Sequence, residues 1–227
     1  MEADKPHYIG HRQRLKEKLL KHSAKHLADY ELVELLLFAA IPRKDVKPLA
    51  KNLLKHFGSL SNLINSDKDK LALLEGTNEN VCVSLYLVQE LISRILKEKI
   101  ESKNSISSWA ALLDYLKFSM GNLKVEQFRT LFLNKKNILI ADEVMGIGTI
   151  DQAPVYPREI IKRALFHEAG AIILVHNHPS GSSKPSKADL ELTNKIVETC
   201  KSVNVTVHDH VIIADGQYYS FKSNMLL

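Results

Sequence analysis

The chain has 227 residues, 45% hydrophobic and 25% charged, the balance of a soluble globular protein long enough for one large or two small domains. No apolar run reaches the ~18 residues of a transmembrane helix, the charged start MEADKPHYIG has no signal-peptide core, and Cys82 and Cys200 make neither a disulfide framework nor a Cys-rich metal site. These features predict a cytoplasmic protein with no membrane partner. The net charge of +5 is uneven: residues 1–104 carry 18 Lys and Arg against 14 Asp and Glu, residues 105–227 carry 13 against 12.

The first element in chain order is a basic run: Lys5, Arg12, Arg14, Lys16, Lys18, Lys21 and Lys25, with His7, His11, His22 and His26 among them. Such a run either meets nucleic-acid phosphates or an acidic partner, or is the solvated face of a helix. ADYELVELLLFAAI then places Leu32, Leu35, Leu36 and Phe38 at helical spacing, with Asp29 as N-cap and Pro42 as stop. VKPLAKNLLKHFGSL repeats the pattern, with Gly58 ending it. LALLEGTNENVCVSLYLV resembles a helix-hairpin-helix, a binder of DNA backbone. Gly76 is in place, but Asn78 stands where the second glycine belongs, and Glu75 and Glu79 flank the turn. VCVSLYLVQELISRILKEKI reads as a long amphipathic helix. Residues 1–100 are thus predicted to be a helical domain, and the polar ESKNSISS (101–108) a linker.

From residue 109 the texture changes. SSWAALLDYLKFSM is helical, capped by Ser107 or Ser108, with Trp109 as a packing anchor. QFRTLFLNKKNILIADEVM reads as two strands joined by a turn at Asn134–Asn137. PREIIKRALFHEAG is a helix from Pro157 to Gly170, AIILVH a buried strand, the segment from Ser186 a helix, and VNVTVHDHVIIA a final strand. Helices alternating with strands predict a sheet covered by helices over 109–227.

The chemistry concentrates in AIILVHNHPSGSSKPSKADLELT. His176 and His178 are two residues apart on a strand, so their imidazoles point to one face at its end. Asp189 sits three residues after Ser186, which makes the pair a variant capping box. Yet Asp189 also shares a helical face with Leu192, Ile196, Cys200 and Val203, the inward apolar face. A carboxylate there needs a partner or a metal. Two His and one carboxylate give three ligands and leave a tetrahedral zinc one open position, the arrangement of a catalytic site. A base is then required. Glu126, which alternates with Phe128, Thr130 and Phe132, is a candidate, and spacing alone leaves Glu143, Glu159 and Glu168 open as well.

Two further signals are weaker. His208 and His210 form a second His-x-His, with Val205, Val207, Asp209 and Val211 on the opposite face. They either line the cleft or a second ion, or sit on a half-exposed strand face. His167-Glu168 begins like a zincin HExxH, but residue 171 is Ala and the motif is absent.

Glu126, fifty residues before His176-x-His178-Pro179, then Ser186 and Asp189, resembles the JAMM (MPN-plus) metalloprotease motif. With PVYPREIIKRAL upstream and VHDHVIIADG downstream, the chain is identified as a member of the RadC family. GHRQRLKEK, DYELVELLLFAAIPRKDVKPLAK and FGSL are similar to that family's helical N-terminal region, so the likeness covers nearly the whole chain. The resemblance implies an α/β architecture: an N-terminal helical domain followed by a cytidine-deaminase-like JAMM (MPN) domain. It implies one zinc ion on His176, His178 and Asp189, with Glu126 as general acid/base and Ser186 bonding the oxyanion or water. The implied reaction is hydrolysis of a peptide or isopeptide bond in a protein or peptide substrate. The alternative it implies is a DNA-associated repair or recombination factor, bound through the basic N-terminal region, or a nuclease using the same zinc water.

Overall fold

The computed structural model describes residues 10–22, 24–101, 109–148 and 155–227. The chain divides into two compact units, Met1–Ile92 and Ser93–Leu227. The predicted linker lies, Glu101 apart, outside the described residues, as do the capping serines Ser107 and Ser108.

The first unit is helical. Helix α1 (His11–His22) and a 3₁₀ turn (Ala24–His26) lead into α2 (Asp29–Ala40). The predicted cap Asp29 is instead the first helical residue. Ala28 holds the cap position, and its N–H donates to the Glu31 carboxylate at 2.8 Å. Glu31 thus supplies its half of a capping box by reaching back to an N-terminal donor, while Ala28 has no side-chain acceptor for the other half. The deepest apolar residues of α2 are Leu37 and Val33, with Leu32, Leu35 and Leu36 partly buried around them. Helix α3 (Lys47–Phe57) stops at Gly58, whose φ of 80° suits a residue without Cβ and whose N–H reaches the Leu54 carbonyl at 2.8 Å. The short α4 (Leu60–Ile64) and α5 (Lys68–Ala72) are capped by Ser59 and Asp67. The long α6 (Glu79–Glu101) follows. Leu37, Ala50, Leu53, Leu63, Leu71 and Val81 form the centre of this core. In the hairpin before α6, Asn78 does not take the place of a second glycine. Its Oδ1 accepts the Val81 N–H at 3.0 Å and caps α6.

The second unit is a mixed sheet between helices. Helix α7 (Trp109–Met120) precedes β1 (Gln127–Leu133) and β2 (Leu139–Ile147), which pair antiparallel across the predicted turn. Helix α8 (Pro157–Phe166) ends four residues before the predicted Gly170. The chain reverses at Glu168, with φ of 52°, and Ala169 N–H bonds back to Ala164. Gly170 has a different role: a Cβ there would press on the Lys135 backbone at 3.3 Å. Strand β3 (Ala171–Asn177) is buried along its whole length, as its apolar run predicts for a central strand. Helix α9 (Lys187–Lys201) carries the chain to β4 (Thr206–Ala214), parallel to β3, and β5 (Gln217–Ser220) closes the edge. A 3₁₀ turn, Lys222–Asn224, follows. Strand β5 was not predicted, although Asp215-Gly216, both at positive φ, is the two-residue turn that favours a hairpin. The order is β2-β1-β3-β4-β5.

Helix α7, with Leu96 and Ile100, covers the face bearing Ile173, Val175, Val211 and Ile213. Ile160 and Ala164 of α8 and Ile196 and Cys200 of α9 cover the face bearing Phe128, Phe132, Ile172 and Leu174. The simple alternation predicted for β4 fails at a bulge. Ile172 pairs with Val207, but Ile173 pairs with Asp209, so His208 is an extra residue. Val205 and Val207 therefore join the α8–α9 side, while Val211 lies on the α7 side. His210 is moved onto the face that carries Leu174 and His176.

Candidate metal centre

The site forms where β3 ends, β1 begins and α9 starts. His176 and Phe128 are register partners on neighbouring strands, their rings stacked 5.8 Å apart. Asn177, between the two histidines, turns the other way and binds the start of β1. Its Oδ1 accepts the Gln127 N–H at 2.8 Å, and its Nδ2 donates to the Val125 carbonyl at 3.2 Å. These two bonds hold the backbone on either side of Glu126. His178 continues the ladder, its N–H bonded to the Ile213 carbonyl at 2.9 Å.

Helix α9 supplies the carboxylate. The capping box and the inward face, alternatives in the sequence, coexist. The Ser186 backbone N–H and hydroxyl both donate to Asp189 Oδ2, at 2.6 and 2.7 Å, and the Asp189 N–H donates to Ser186 Oγ at 3.2 Å. Leu192, Ile196, Cys200 and Val203 lie in the core below, as the inward face requires. Asp189 Oδ1 stands 3.1 Å from His176 Nε2, and Oδ2 stands 3.4 Å from His178 Nε2. The two Nε2 atoms are 2.9 Å apart. A tetrahedral zinc with arms of roughly 2.0–2.1 Å has edges of about 3.3 Å, so the three groups are spaced to share one ion. His176, His178 and Asp189 could hold a metal ion.

The ring nitrogens facing away from this point are engaged. His178 Nδ1–H donates to the Ser182 carbonyl at 2.7 Å, leaving Nε2 aimed inward. His176 Nδ1 lies 2.8 Å from Nε2 of the buried His210, and His210 Nδ1 lies 2.6 Å from Thr193 Oγ1. His210 is therefore neither on a half-exposed face nor a ligand. His208, at the bulge, meets Asn137 Oδ1 at 2.6 Å, away from the centre. No signal in the sequence places His210 behind His176 or Thr193 behind His210, because the bulge that brings His210 round leaves no mark in composition.

The electrostatics bind the cluster together. Burial pushes the Asp189 carboxyl up, but hydrogen bonds from His176 and His178 outweigh it and hold the group far below the usual carboxylate range. The hydrogen bond to Asp189 raises His178 above an ordinary histidine, against its partial burial, and the Glu126 carboxylate adds to the rise. Glu126 thus lies within electrostatic reach of the ligand set. Complete burial keeps His210 well below the usual histidine value and neutral.

The other glutamates fall elsewhere. Glu143 is clamped by Arg163, with Nε at 2.6 Å, and by His167 at 2.7 Å. Those bonds hold its carboxyl at about 2. Glu159 pairs with Arg158 and Lys162 in the first turn of α8, and Glu168 sits at the chain reversal after that helix. Trp109 packs against the α7 side of the sheet.

In the helical unit, part of the basic run is committed internally. Arg12 donates to the carbonyls of Phe38, Ile41 and Lys44 at the end of α2, and Lys18 pairs with Glu31 at 2.7 Å. Lys5 and His7 lie outside the described residues. Among the described residues no helix is long and apolar enough to cross a membrane.

Known families match along both parts of the chain. Residues 8–82 match the UPF0758 N-terminal family. Residues 106–226, the span that holds α7, the whole sheet and the His176–His178–Asp189 cluster, match the RadC-like JAB domain. A two-histidine, one-carboxylate centre on a helix-covered mixed sheet, together with a match over more than half the chain, places this protein in the RadC-like JAB domain family.

Proposed function

We propose that the protein is a zinc-dependent hydrolase, a metallopeptidase or isopeptidase that cleaves an amide bond in a protein or peptide substrate. The observation that carries this reading is the convergence of His176 Nε2, His178 Nε2 and the Asp189 carboxylate, with the remaining ring nitrogens of both histidines engaged elsewhere. Two nitrogens and one oxygen suit zinc, and three protein ligands leave a position open for chemistry. Zinc, when bound, would supply a Lewis acid that brings the pKa of a water towards about 7. Glu126, held by the Asn177 clamp on its flanking backbone, takes the proton of the attacking water and passes it to the departing nitrogen. The Ser186 hydroxyl, already beside Asp189, turns its proton to the developing oxyanion. The products are a carboxylic acid and an amine.

A DNA-associated role has narrower support, since Arg12 and Lys18 are engaged within the helical unit. The test is Glu126→Gln beside wild type, with zinc content and peptide-library hydrolysis measured on the same preparations. The expected result is unchanged zinc and a loss of about 10²- to 10⁴-fold in hydrolysis, the usual contribution of a general acid/base. Hydrolysis that survives this substitution would remove Glu126 from the chemistry.

A further inference from the structure

The polar chain behind His176 runs through two residues with no part in the reaction above, and its direction can be deduced. It ends on the main-chain carbonyl of Asp189, which can only accept. Thr193 Oγ1 is 2.5 Å from that oxygen. Two oxygens at that distance share a proton, so the Thr193 hydroxyl donates to the carbonyl. Its one proton is then used. His210 Nδ1, 2.6 Å from the same Oγ1, must be the donor of the next bond. A neutral imidazole protonated at Nδ1 has a bare Nε2. That atom is 2.8 Å from His176 Nδ1, which must therefore carry the proton between them. His176 Nε2 is the ring nitrogen left to the ligand cluster, 2.9 Å from His178 Nε2 and 3.1 Å from Asp189 Oδ1. The reverse direction would leave the Asp189 carbonyl facing a bare oxygen.

Solvent is kept from the two inner members of the chain. Thr193 is 1% exposed and His210 fully buried. Phe221, with its ring centroid 4.6 Å away, and Phe128, at 5.5 Å, fix the His210 ring.

We propose that Thr193 and His210 are positioning residues that set the tautomer of His176, so that its Nε2 is a ready metal ligand before any ion arrives. The relay also joins two ligands, since it starts on the backbone of Asp189 and ends on His176. His178 is oriented separately, through Ser182. This inference rests on reading the cluster as a metal centre, and the experiment separates the two.

The full-length protein is compared with His210→Phe, Thr193→Val and the double variant. Zinc affinity is measured by competition with a chelator, and the protonated ring nitrogens of the metal-free proteins are identified from long-range ¹H–¹⁵N spectra at mildly alkaline pH. His210→Phe keeps the ring volume and is expected to weaken zinc binding about 10- to 100-fold, the usual consequence of losing the partner of a ligating histidine. Thr193→Val weakens it less, and the double variant is no worse than His210→Phe, because both remove one path. Metal-free wild type shows His176 protonated at Nδ1, and Thr193→Val loses that single tautomer. A proton on Nε2 of His176 in the wild type overturns the proposal, as does unchanged zinc affinity in folded His210→Phe. If that variant fails to fold, the wild-type spectrum and Thr193→Val decide alone. Wild type that shows the Nδ1 tautomer but takes no zinc supports the relay and sinks the metal reading.

Discussion

The two units bury different things. In the helical unit the buried described residues are aliphatic or aromatic with one exception, Glu34. Among the described residues of the sheet unit seven polar ones are buried: Thr130, His176, Asn177, Thr193, Asp209, His210 and Ser220. A buried polar group is tolerated when its partners are supplied, and four of those seven serve the candidate metal centre at the end of β3. His176 is a candidate ligand, Asn177 holds the backbone around Glu126, and Thr193 and His210 stand behind His176. Asp209 fastens the C-terminal turn, accepting N–H bonds from His210 at 2.7 Å and Lys222 at 2.9 Å and the Ser220 hydroxyl at 2.5 Å. Charge in the helical unit works at helix ends instead, as Arg12 does on the Phe38 carbonyl in the last turn of α2 and the Lys44 carbonyl beyond it. Buried polarity thus gathers around the candidate metal centre, while among the described residues the helical unit buries Glu34 alone of its polar side chains.

That contrast can be broken by substitution. Asp209→Leu should destabilise most, by roughly 3–5 kcal/mol, because it leaves the buried His210 N–H and the part-buried Lys222 N–H without an acceptor and takes one from the Ser220 hydroxyl. Urea unfolding checks it, and a loss under about 1 kcal/mol would mean the buried network is dispensable. Glu143→Gln should cost less, roughly 1–3 kcal/mol at neutral pH, by removing charge-assisted bonds to Arg163 and His167. The Glu143 carboxyl is held at about 2, below its ordinary 4.5, chiefly by the Arg163 bond against its partial burial. A depressed pKa stabilises the fold fully above 4.5 and progressively less as pH falls towards 2. The gap between wild type and Glu143→Gln should therefore close across that window in acid unfolding, and a gap that widens there would contradict the assignment. Smallest is Glu34→Met. Glu34 is fully buried, with Oε2 on His11 at 2.8 Å and Oε1 unbonded. An apolar side chain of similar volume often replaces such a charge at no cost, so thermal unfolding should move by no more than about 1 kcal/mol in either direction. A loss of several kcal/mol would show that the helical unit also relies on buried polarity.

Much of the centre is legible in the sequence because its parts obey simple periodicities. The two-residue strand repeat puts His176 and His178 together, and the helical repeat turns Asp189 inward with Ile196 and Cys200. The register of β1 on β3 carries Glu126 towards the cluster, which spacing could not distinguish from Glu143 until the Arg163 clamp was visible. Where periodicity breaks, the reading breaks with it. The extra residue at His208 reverses the faces predicted for β4, and nothing in VNVTVHDHVIIA announces a bulge. Asn177 reads as the spacer between two histidines, and its clamp on residues 125 and 127 depends on a strand fifty residues away. Asp215-Gly216 is different, since that turn signal was present and β5 could have been read from it. Helix α8 ends before the predicted Gly170 because the chain already reverses at Glu168, in the left-handed conformation that glycine more often takes.

The central claim is a three-ligand metal centre made by His176, His178 and Asp189. Its most direct test is metal analysis of the full-length protein and of Asp189→Ala after zinc loading and removal of free ion, with folding verified for both. The account predicts about one zinc per chain in the wild type and almost none in Asp189→Ala. A folded wild type that retains no zinc, or an Asp189→Ala protein that retains as much as wild type, would contradict it.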